Sequence, residues 1–234
     1  MPGLIGMSVH TDVVYLRELG RPDPATEPDA PAVSTMRSVL RGLDFHRLTS
    51  SLAAGRSEAA DEILREAIDS VQRAGADLLV LTANTIHTML DDWHDLIRIP
   101  VLPISRATLA AARARGHRRL GLIGTARTVS SGLYTAEAAE FGCEIVPPSP
   151  AVAAEIDDLI QRRLIAGIAT EPEAAVVLQA IAAFADEDVD AVVLGCTDLT
   201  LLVPHLQAAP LPLLDSTVLH ARAARRAALT GELP

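Results

Sequence analysis

The sequence predicts an α/β fold with two pseudo-symmetric, doubly wound domains of parallel sheets, and three observations support this prediction. Short apolar runs alternate with longer amphipathic segments, as strands alternate with helices in such folds. Of the 234 residues, 49% are apolar and only 3% aromatic, so Leu, Val, Ile and Ala must form the core, as is typical of α/β layers. Residues 76–85 also align without gaps on residues 189–198, and both segments are apolar runs that end in small polar residues.

The individual elements follow from these patterns. The apolar runs predict strands at 2–6, 37–44, 77–82, 100–103, 119–123, 143–146, 190–195 and 211–214. The amphipathic segments predict helices at 9–19, 57–74, 105–115, 130–141, 151–166, 171–185 and 216–229. Residues 170–173, Thr-Glu-Pro-Glu, form a capping-box sequence, and Ser105 is expected to cap another helix. Gly75, Gly116 and Gly142 stand where helices are expected to end in the left-handed conformation.

The internal duplication predicts the domain organisation. A second pair of similar segments, 3–8 and 121–126, supports it. The duplication places a domain break near Pro103, and the tail after Pro210 is expected to return to the first half. The predicted domains are residues 1–103 together with 210–234, and residues 104–209.

The same fold class predicts where a ligand binds. Doubly wound sheets bind ligands at the carboxyl ends of their strands, so we expect the active site in the cleft between the two domains. Residues 83 and 196, which follow the duplicated strands, are then expected on opposite walls. Residues 21–34 are rich in Pro, Asp and Ala and lack periodicity, so they are interpreted as a loop that serves either as a lid or as a plain connector.

Composition excludes several classes of function. A net charge of −10 argues against nucleic acid as a partner. Lysine is absent, which rules out a Schiff base with pyridoxal phosphate and a phosphate-binding loop that ends in Gly-Lys. Cys143 and Cys196 lack metal-ligand spacing and are too few for a disulfide scaffold. No apolar run reaches the ~20 residues that span a bilayer, and the strand pattern near residue 3 leaves no room for a signal peptide. We therefore expect a soluble cytoplasmic protein without a metal site; that it needs no cofactor is what the family resemblance described next implies.

Several motifs, in one order along the chain, carry a family resemblance. They are Gly3-Leu4-Ile5-Gly6-Met7-Ser8, Asn84-Thr85-Ile86-His87 and Gly195-Cys196-Thr197-Asp198, with shorter matches at 44–46, 124–125, 130–134 and 214–215. With these motifs the chain resembles the aspartate/glutamate racemase family over nearly its whole length. The resemblance implies an isomerase of amino-acid metabolism that is independent of pyridoxal phosphate, has two pseudo-symmetric α/β domains and forms a homodimer. Its expected substrate is an amino acid like aspartate or glutamate.

The resemblance also implies the catalytic residues. In the usual pattern each domain contributes a cysteine, one to remove the α-proton and the other to return a proton on the opposite face. Cys196 matches the second cysteine, whereas Ala83 occupies the position of the first. An α-proton beside a carboxylate is very weakly acidic, so the carbanion needs hydrogen-bond donors in a dry site and an acid and a base with tuned pKa values.

Neutral donors and one arginine are expected to bind the substrate. These candidates are Met7, Ser8, Arg47, Asn84, Thr85, Thr125, Thr128 and Thr197. Arg47 stands where the family commonly has an acidic residue, so it is interpreted either as a bidentate partner of a side-chain carboxylate or as a solvated surface residue. Ile165 stands where some members have a lysine, which indicates a different substrate preference.

Ala83 leaves three explanations open. The protein is a racemase with a single cysteine, or Ala83 replaces a native cysteine, or the reaction needs only one protonation. The third case corresponds to decarboxylation of a malonate-like acid with Cys196 as the sole proton donor. A binding protein that has lost catalysis is a further alternative. Cys196 could also be an ordinary buried cysteine, and His87 and His220 are interpreted as capping or packing residues.

Overall fold

The computed structural model describes residues 1–24, 27–31, 34–53 and 57–234 and confirms the predicted class, with two parallel sheets covered by helices. The first sheet has the strand order β2-β1-β3 and the second has the order β5-β4-β6-β7. The strands are β1 (Pro2–Gly6), β2 (Val39–Gly42), β3 (Leu78–Leu81), β4 (Arg119–Ile123), β5 (Glu144–Val146), β6 (Ala191–Leu194) and β7 (Leu213–Asp215). All strand pairs are parallel.

The internal duplication extends to the strand register. Gly3 pairs with Leu79 in the first sheet, and their aligned counterparts Gly121 and Val192 pair in the second. The next two pairs correspond in the same way: Leu4 with Val80 and Ile5 with Leu81, against Leu122 with Val193 and Ile123 with Leu194. The two sheets thus share one central construction.

Helices cover the sheets close to the predicted positions. They are α1 (Val9–Leu19), α2 (Phe45–Ala53), α3 (Ser57–Arg73), α4 (Asn84–His87), α5 (Ile104–Ala114), α6 (Ala126–Ser130), α7 (Thr135–Ala138), α8 (Pro150–Leu159), α9 (Glu171–Ala182) and α10 (Ser216–Thr230). 3₁₀ turns occur at Leu90–Trp93, Ala139–Phe141, Ala185–Glu187 and Thr197–His205, and a π-helical turn at Ile160–Leu164 continues α8. Gly75, Gly116 and Gly142 have φ values of +88°, +81° and +64°, which confirms the predicted left-handed residues.

Three local predictions were wrong. The strand expected at 100–103 is only an isolated bridge between Val101 and Leu79, because α5 begins at Ile104, whose N–H donates to His87 Nε2 instead of continuing the ladder. The helix expected at 130–141 is broken at Gly132, whose φ is +76°, so a short helix already begins at Ala126. Ser105 does not cap α5, because α5 begins one residue earlier, at Ile104. The amphipathic pattern also failed to predict α2 and the two helical turns that follow the duplicated strands, α4 and Thr197–His205.

The chain divides into two compact units. The first contains Met1–Thr82, Met89–Pro103 and Ala221–Leu233, and the second contains Ala83–Thr88 and Ile104–His220 with Pro234. This division differs from the expected domain boundaries at three places: residues 83–88, residues 210–220 and Pro234 belong to the second unit. Within 210–220, β7 pairs with β6 and so belongs to the second sheet. Residues 25, 26, 32 and 33 of the expected lid or connector lie outside the described residues.

Alternating side chains bury both faces of the second sheet. Ile123, Val192 and Leu194 pack on one side with α8 and α9. Their neighbours Leu122 and Val193 pack on the other side with α5. Strands buried on both faces are characteristic of doubly wound sheets, and their carboxyl ends deliver loops at one edge. Within the described part of the chain, no helix combines the length and apolar character that crossing a membrane requires.

Candidate active site

Cys196 lies directly after β6, where the chain turns into the 3₁₀ helix Thr197–His205. Its backbone is extended, with φ −127° and ψ 133°, and its carbonyl accepts a hydrogen bond from the N–H of Leu199 at 3.1 Å. The residue is 8% exposed and belongs to the core cluster around α8 and α9. Cys196 is therefore a nearly buried thiol at the carboxyl end of a central strand.

Two glycines determine the position of this loop. A Cβ on Gly195 would lie 2.7 Å from Leu122 Cδ1 and 3.0 Å from the Ile123 carbonyl oxygen. A Cβ on Gly124 would lie 2.9 Å from the carbonyl carbon of Gly195. The backbones that follow β4 and β6 thus approach so closely that only glycine fits at both positions. This close approach holds the Cys196 loop against the end of β4.

The surroundings of Cys196 favour its neutral form. Burial raises the pKa of the Cys196 thiol above its ordinary value, and the negative charge of Asp198 raises it further. The backbone N–H groups of Asp198 and Leu199 act in the opposite direction, and the charge of Asp157 adds a smaller increase of the pKa. At neutral pH the thiol therefore carries its proton in the free protein.

Ala83 occupies the corresponding position after β3. Its backbone is extended like that of Cys196, with φ −148° and ψ 141°, and it precedes α4. The residue is 7% exposed, and its methyl group offers no proton donor or acceptor. The two residues thus occupy equivalent positions in the fold.

His87 fixes the α4 turn through both of its ring nitrogens. Nδ1 donates to the Ala83 carbonyl oxygen at 2.8 Å, and Nε2 accepts from the backbone N–H of Ile104 at 3.2 Å. This pattern requires the neutral tautomer with the proton on Nδ1. The ring also packs edge-on against the buried His220, with centroids 5.6 Å apart. His87 thereby satisfies the first N–H of α5, which Ser105 was expected to do.

Asn84 belongs to a buried hydrogen-bond network. The Tyr134 hydroxyl donates to Asn84 Oδ1 at 2.7 Å, and Asn84 Nδ2 donates to Ser216 Oγ at 3.2 Å. Ser216 in turn donates to the Leu194 carbonyl oxygen at 2.6 Å, two residues before Cys196. Burial raises the pKa of Tyr134, so it remains a donor at neutral pH. The sequence analysis assigned no role to Tyr134 or Ser216, although Tyr134 lies within the short family match at 130–134.

The threonine candidates of the second unit are mostly buried. Thr125 caps α6: its Oγ1 accepts from the Thr128 N–H at 3.2 Å and lies 3.0 Å from Thr128 Oγ1. The Thr197 carbonyl oxygen accepts from Thr217 Oγ1 at 3.2 Å. Thr85 is half-buried, and its carbonyl oxygen accepts from Thr88 Oγ1 at 2.8 Å. Hence the second unit brings together seven predicted site residues: Ala83, Asn84, Thr85, Thr125, Thr128, Cys196 and Thr197.

The other three candidates, Met7, Ser8 and Arg47, lie in the first unit. The Met7 N–H donates to Thr82 Oγ1 at 3.2 Å, which joins the ends of β1 and β3. Ser8 precedes α1 and accepts from the Asp12 N–H at 2.8 Å through its carbonyl oxygen. Arg47 is an exposed residue of α2.

Asp12 is a buried carboxyl group near the ends of β1 and β3, and the sequence analysis did not predict it as a site residue. Its Oδ1 lies 2.8 Å from Thr82 Oγ1, and burial raises its pKa. A single acidic residue in an amphipathic helix gives no sequence signal of such a contact.

Comparison with known proteins identifies the family. The model of the Asp/Glu/Hydantoin racemase family matches residues 5–224. The chain belongs to this family. A candidate Asp/Glu racemase from Yersinia pestis has a solved structure that superposes with a TM-score of 0.81 at 30% identity, over 98% of this chain and 99% of that one.

Curated relatives in the racemase family are glutamate racemases. Those from a Parafrankia species and from Thermus thermophilus are 35% and 33% identical over 58% and 66% of this chain. The chain spans about half the length of these relatives, 48% and 56%. Every candidate site residue falls within the range that the family model matches. Among the described residues, no group of three or more His, Cys, Asp and Glu side chains is arranged to hold a metal ion.

Proposed function

We propose that this protein is an amino-acid racemase that works without pyridoxal phosphate or another cofactor on a substrate like aspartate or glutamate. The observation that carries this proposal is the nearly buried Cys196 at the end of β6, in a chain of the racemase family. The glutamate racemases among its relatives support an amino-acid substrate with a side-chain carboxylate. In this proposal the candidate hydroxyl and amide groups bind the substrate carboxylate as neutral donors.

The proposed reaction is a proton exchange at the α-carbon. A base takes the α-proton, the electron pair of the C–H bond remains on the carbon, and an acid returns a proton to the opposite face. The neutral thiol of Cys196 suits the acid role, and its thiolate suits the base role in the reverse direction. Ala83 cannot perform the partner role, so we propose that water or another group of the protein acts there.

Decarboxylation of a malonate-like acid is the second candidate. The specific observation in its favour is the combination of a protonated Cys196 with a methyl group at Ala83. Loss of carbon dioxide leaves a carbanion that needs only one proton, which a single thiol can supply. A homologue that binds a carboxylate without turnover is the remaining alternative.

The decisive experiment separates exchange, racemisation and decarboxylation. Aspartate and glutamate are incubated in heavy water, and deuterium incorporation is compared with the loss of optical rotation. Equal rates of deuterium incorporation and of loss of optical rotation indicate a working second acid. Deuterium incorporation with retained chirality indicates that protons are exchanged on only one face of the α-carbon. Carbon dioxide release from a substituted malonate, without amino-acid exchange, contradicts the racemase proposal and supports the decarboxylase.

Cys196→Ser tests the assigned residue. Because general acid–base groups contribute about 10²–10⁴-fold, we expect turnover to fall by at least about 100-fold while the fold is retained. Cys143→Ser is the matched control, since Cys143 is half-buried next to β5 and has no proposed role. Full activity of Cys196→Ser would remove Cys196 from the mechanism.

We also propose a cytoplasmic homodimer. The two free cysteines fit a reducing compartment. A candidate contact surface for a second copy is the stripe Val9, Val13 and Leu16 on α1, which are 70%, 49% and 45% exposed at helical spacing. Sedimentation of Val13→Glu tests this surface, because a charge there should convert the dimer to a monomer. A wild-type chain that sediments as a monomer would contradict the dimer.

A further inference from the structure

A cavity of ≈ 330 Å³ lies in the first unit, lined by none of the candidate active-site residues. The end of α1, the residues that follow it and the carboxyl-terminal half of α10 form its wall. Its charged lining consists of four arginines, Arg21, Arg222, Arg225 and Arg226, and three acids, Glu18, Asp23 and Glu27. Four positive charges against three negative ones leave a net charge of +1. The volume lies near the lower end of the range for ligand sites, about 300–1,000 Å³.

Arg225 forms a rigid part of this wall. Its side chain is buried, and its Nε and Nη2 donate to the two carboxylate oxygens of Glu27 at 2.7 Å and 2.6 Å. Nη1 donates to the carbonyl oxygens of Leu19 and Ser34. A buried guanidinium with this many partners is fully paired. Arg225 therefore shapes the cavity and is not available to a ligand.

Arg222 and Arg226 are in a different position. They lie one turn apart on α10, and both line the cavity. Arg222 donates through Nε to the buried Glu18 at 2.7 Å, which leaves its two Nη groups without a partner among the described residues. The Arg226 side chain likewise has no partner in the part of the chain that the structure describes. Glu18 thus holds Arg222 in place, while the Nη groups of Arg222 and the guanidinium group of Arg226 remain available to an oxyanion.

The remaining lining consists of the polar Thr230 and three apolar residues. Pro22, Pro24 and Leu229 line the cavity beside the arginines. A ligand that matches both kinds of lining carries an oxyanion and a small apolar body. We propose that this cavity binds a small organic anion, with a phosphate or carboxylate group on Arg222 and Arg226 and an apolar body against Pro22, Pro24 and Leu229. This inference does not depend on the proposed racemase activity.

Phenyl phosphate is the probe for a calorimetric titration of the full chain, with benzoate, inorganic phosphate and phenol as separate arms. We expect saturable binding of phenyl phosphate with a Kd of about 1 mM or below, given its small number of heavy atoms. Phosphate and phenol alone should bind more weakly, because phosphate contacts only the arginines and phenol only the apolar residues. Benzoate that binds as tightly as phenyl phosphate would identify a carboxylate ligand, and weaker benzoate binding would identify a phosphate ester.

Arg226→Gln is the main variant, because its side chain has no described partner whose loss would disturb the fold. Losing one charge-assisted contact should weaken phenyl phosphate binding about 10- to 100-fold. Arg162→Gln removes the same charge from an exposed position of the second unit and should leave binding unchanged. Cys196→Ser should also leave it unchanged. The proposal is overturned by no binding up to about 20 mM, a range that covers ligands of this size, or by equal losses in the two arginine variants.

Discussion

The loops that follow β3 and β6 have nearly the same backbone but different side chains. The Thr82 N–H donates to the Ile5 carbonyl oxygen at 3.0 Å, and at the equivalent place the Gly195 N–H donates to that of Ile123 at 2.7 Å. Ala83 and Cys196 are then the extended residues before a helical turn. The two duplicated loops therefore share their backbone conformation and differ in the side chain at this position.

The two loops are also held in place by different means. In the second unit the Gly195 backbone packs directly against Gly124. In the first unit Thr82 carries a side chain, whose hydroxyl contacts Met7, Ile5 and Asp12. A Cβ on Gly6 would overlap Asp12 Oδ2. The Asp12 carboxyl group thus lies beside Gly6, whereas the Gly195 backbone lies beside the equivalent Gly124. Hydrogen bonds replace close packing.

The largest effect is expected from making the two loops chemically alike. Ala83→Cys adds a thiol at the position of the usual first cysteine and should raise racemisation by about 10²–10⁴-fold, the usual contribution of an acid–base group. Polarimetry with aspartate and glutamate measures it, and Ala83→Ser is the control of similar size. A decarboxylase would instead give a product of lower enantiomeric excess. If neither change occurs and thiol reagents that label Cys196 do not reach the introduced thiol, the proposed equivalence of function is wrong.

Gly195→Ala tests the close packing of the second loop. The added Cβ overlaps Leu122 and the Ile123 carbonyl oxygen, and such overpacking destabilises by about 1–3 kcal/mol. Urea denaturation measures the free energy of unfolding. Gly42→Ala serves as the control, because a Cβ there meets nothing within 4 Å. Equal stability of the two variants would show that the packing against Leu122 and Ile123 does not require glycine at position 195.

Thr82→Val tests the hydrogen bonds of the first loop. Removing the hydroxyl leaves the Met7 N–H and the Asp12 carboxyl without this partner, which should cost about 1 kcal/mol in unfolding free energy. Thr82→Ser retains the hydroxyl and should restore most of that loss. A valine variant as stable as wild type would mean that shape alone holds this loop.

The smallest effect concerns the charge beside Cys196. Asp198 raises the pKa of the thiol, so Asp198→Asn should lower that pKa and increase the thiolate fraction at a given alkaline pH. Rates of alkylation against pH, measured in a Cys143→Ser background, report the titration. The curve should move to lower pH, whereas Asp186→Asn on an exposed turn should not move it. A shift to higher pH would contradict the assigned electrostatics.

The sequence predicted the strands well because each carries a local signal. β1 and β4 were predicted with the bounds that the structure has, and the gapless alignment of 76–85 on 189–198 corresponds to the observed register. Predictions failed where a residue far away along the chain determines the local structure. The start of α5 at Ile104 depends on His87, 17 residues earlier, and no local pattern contains that contact. Short turns such as α4 have too few residues to show helical periodicity.

The sequence is sufficient to predict the parallel α/β class, the duplication, and the thiol and methyl group at equivalent positions. These properties depend on residue identities and on spacings along the chain. The tertiary structure is needed to show that Asn84 is held by Tyr134 and Ser216, which are 50 and 132 residues away. It also shows that burial and Asp198 raise the pKa of the Cys196 thiol. Hydrogen-bond partners and pKa values depend on which groups meet in space and on how much water they lose, and neither is encoded in neighbouring residues.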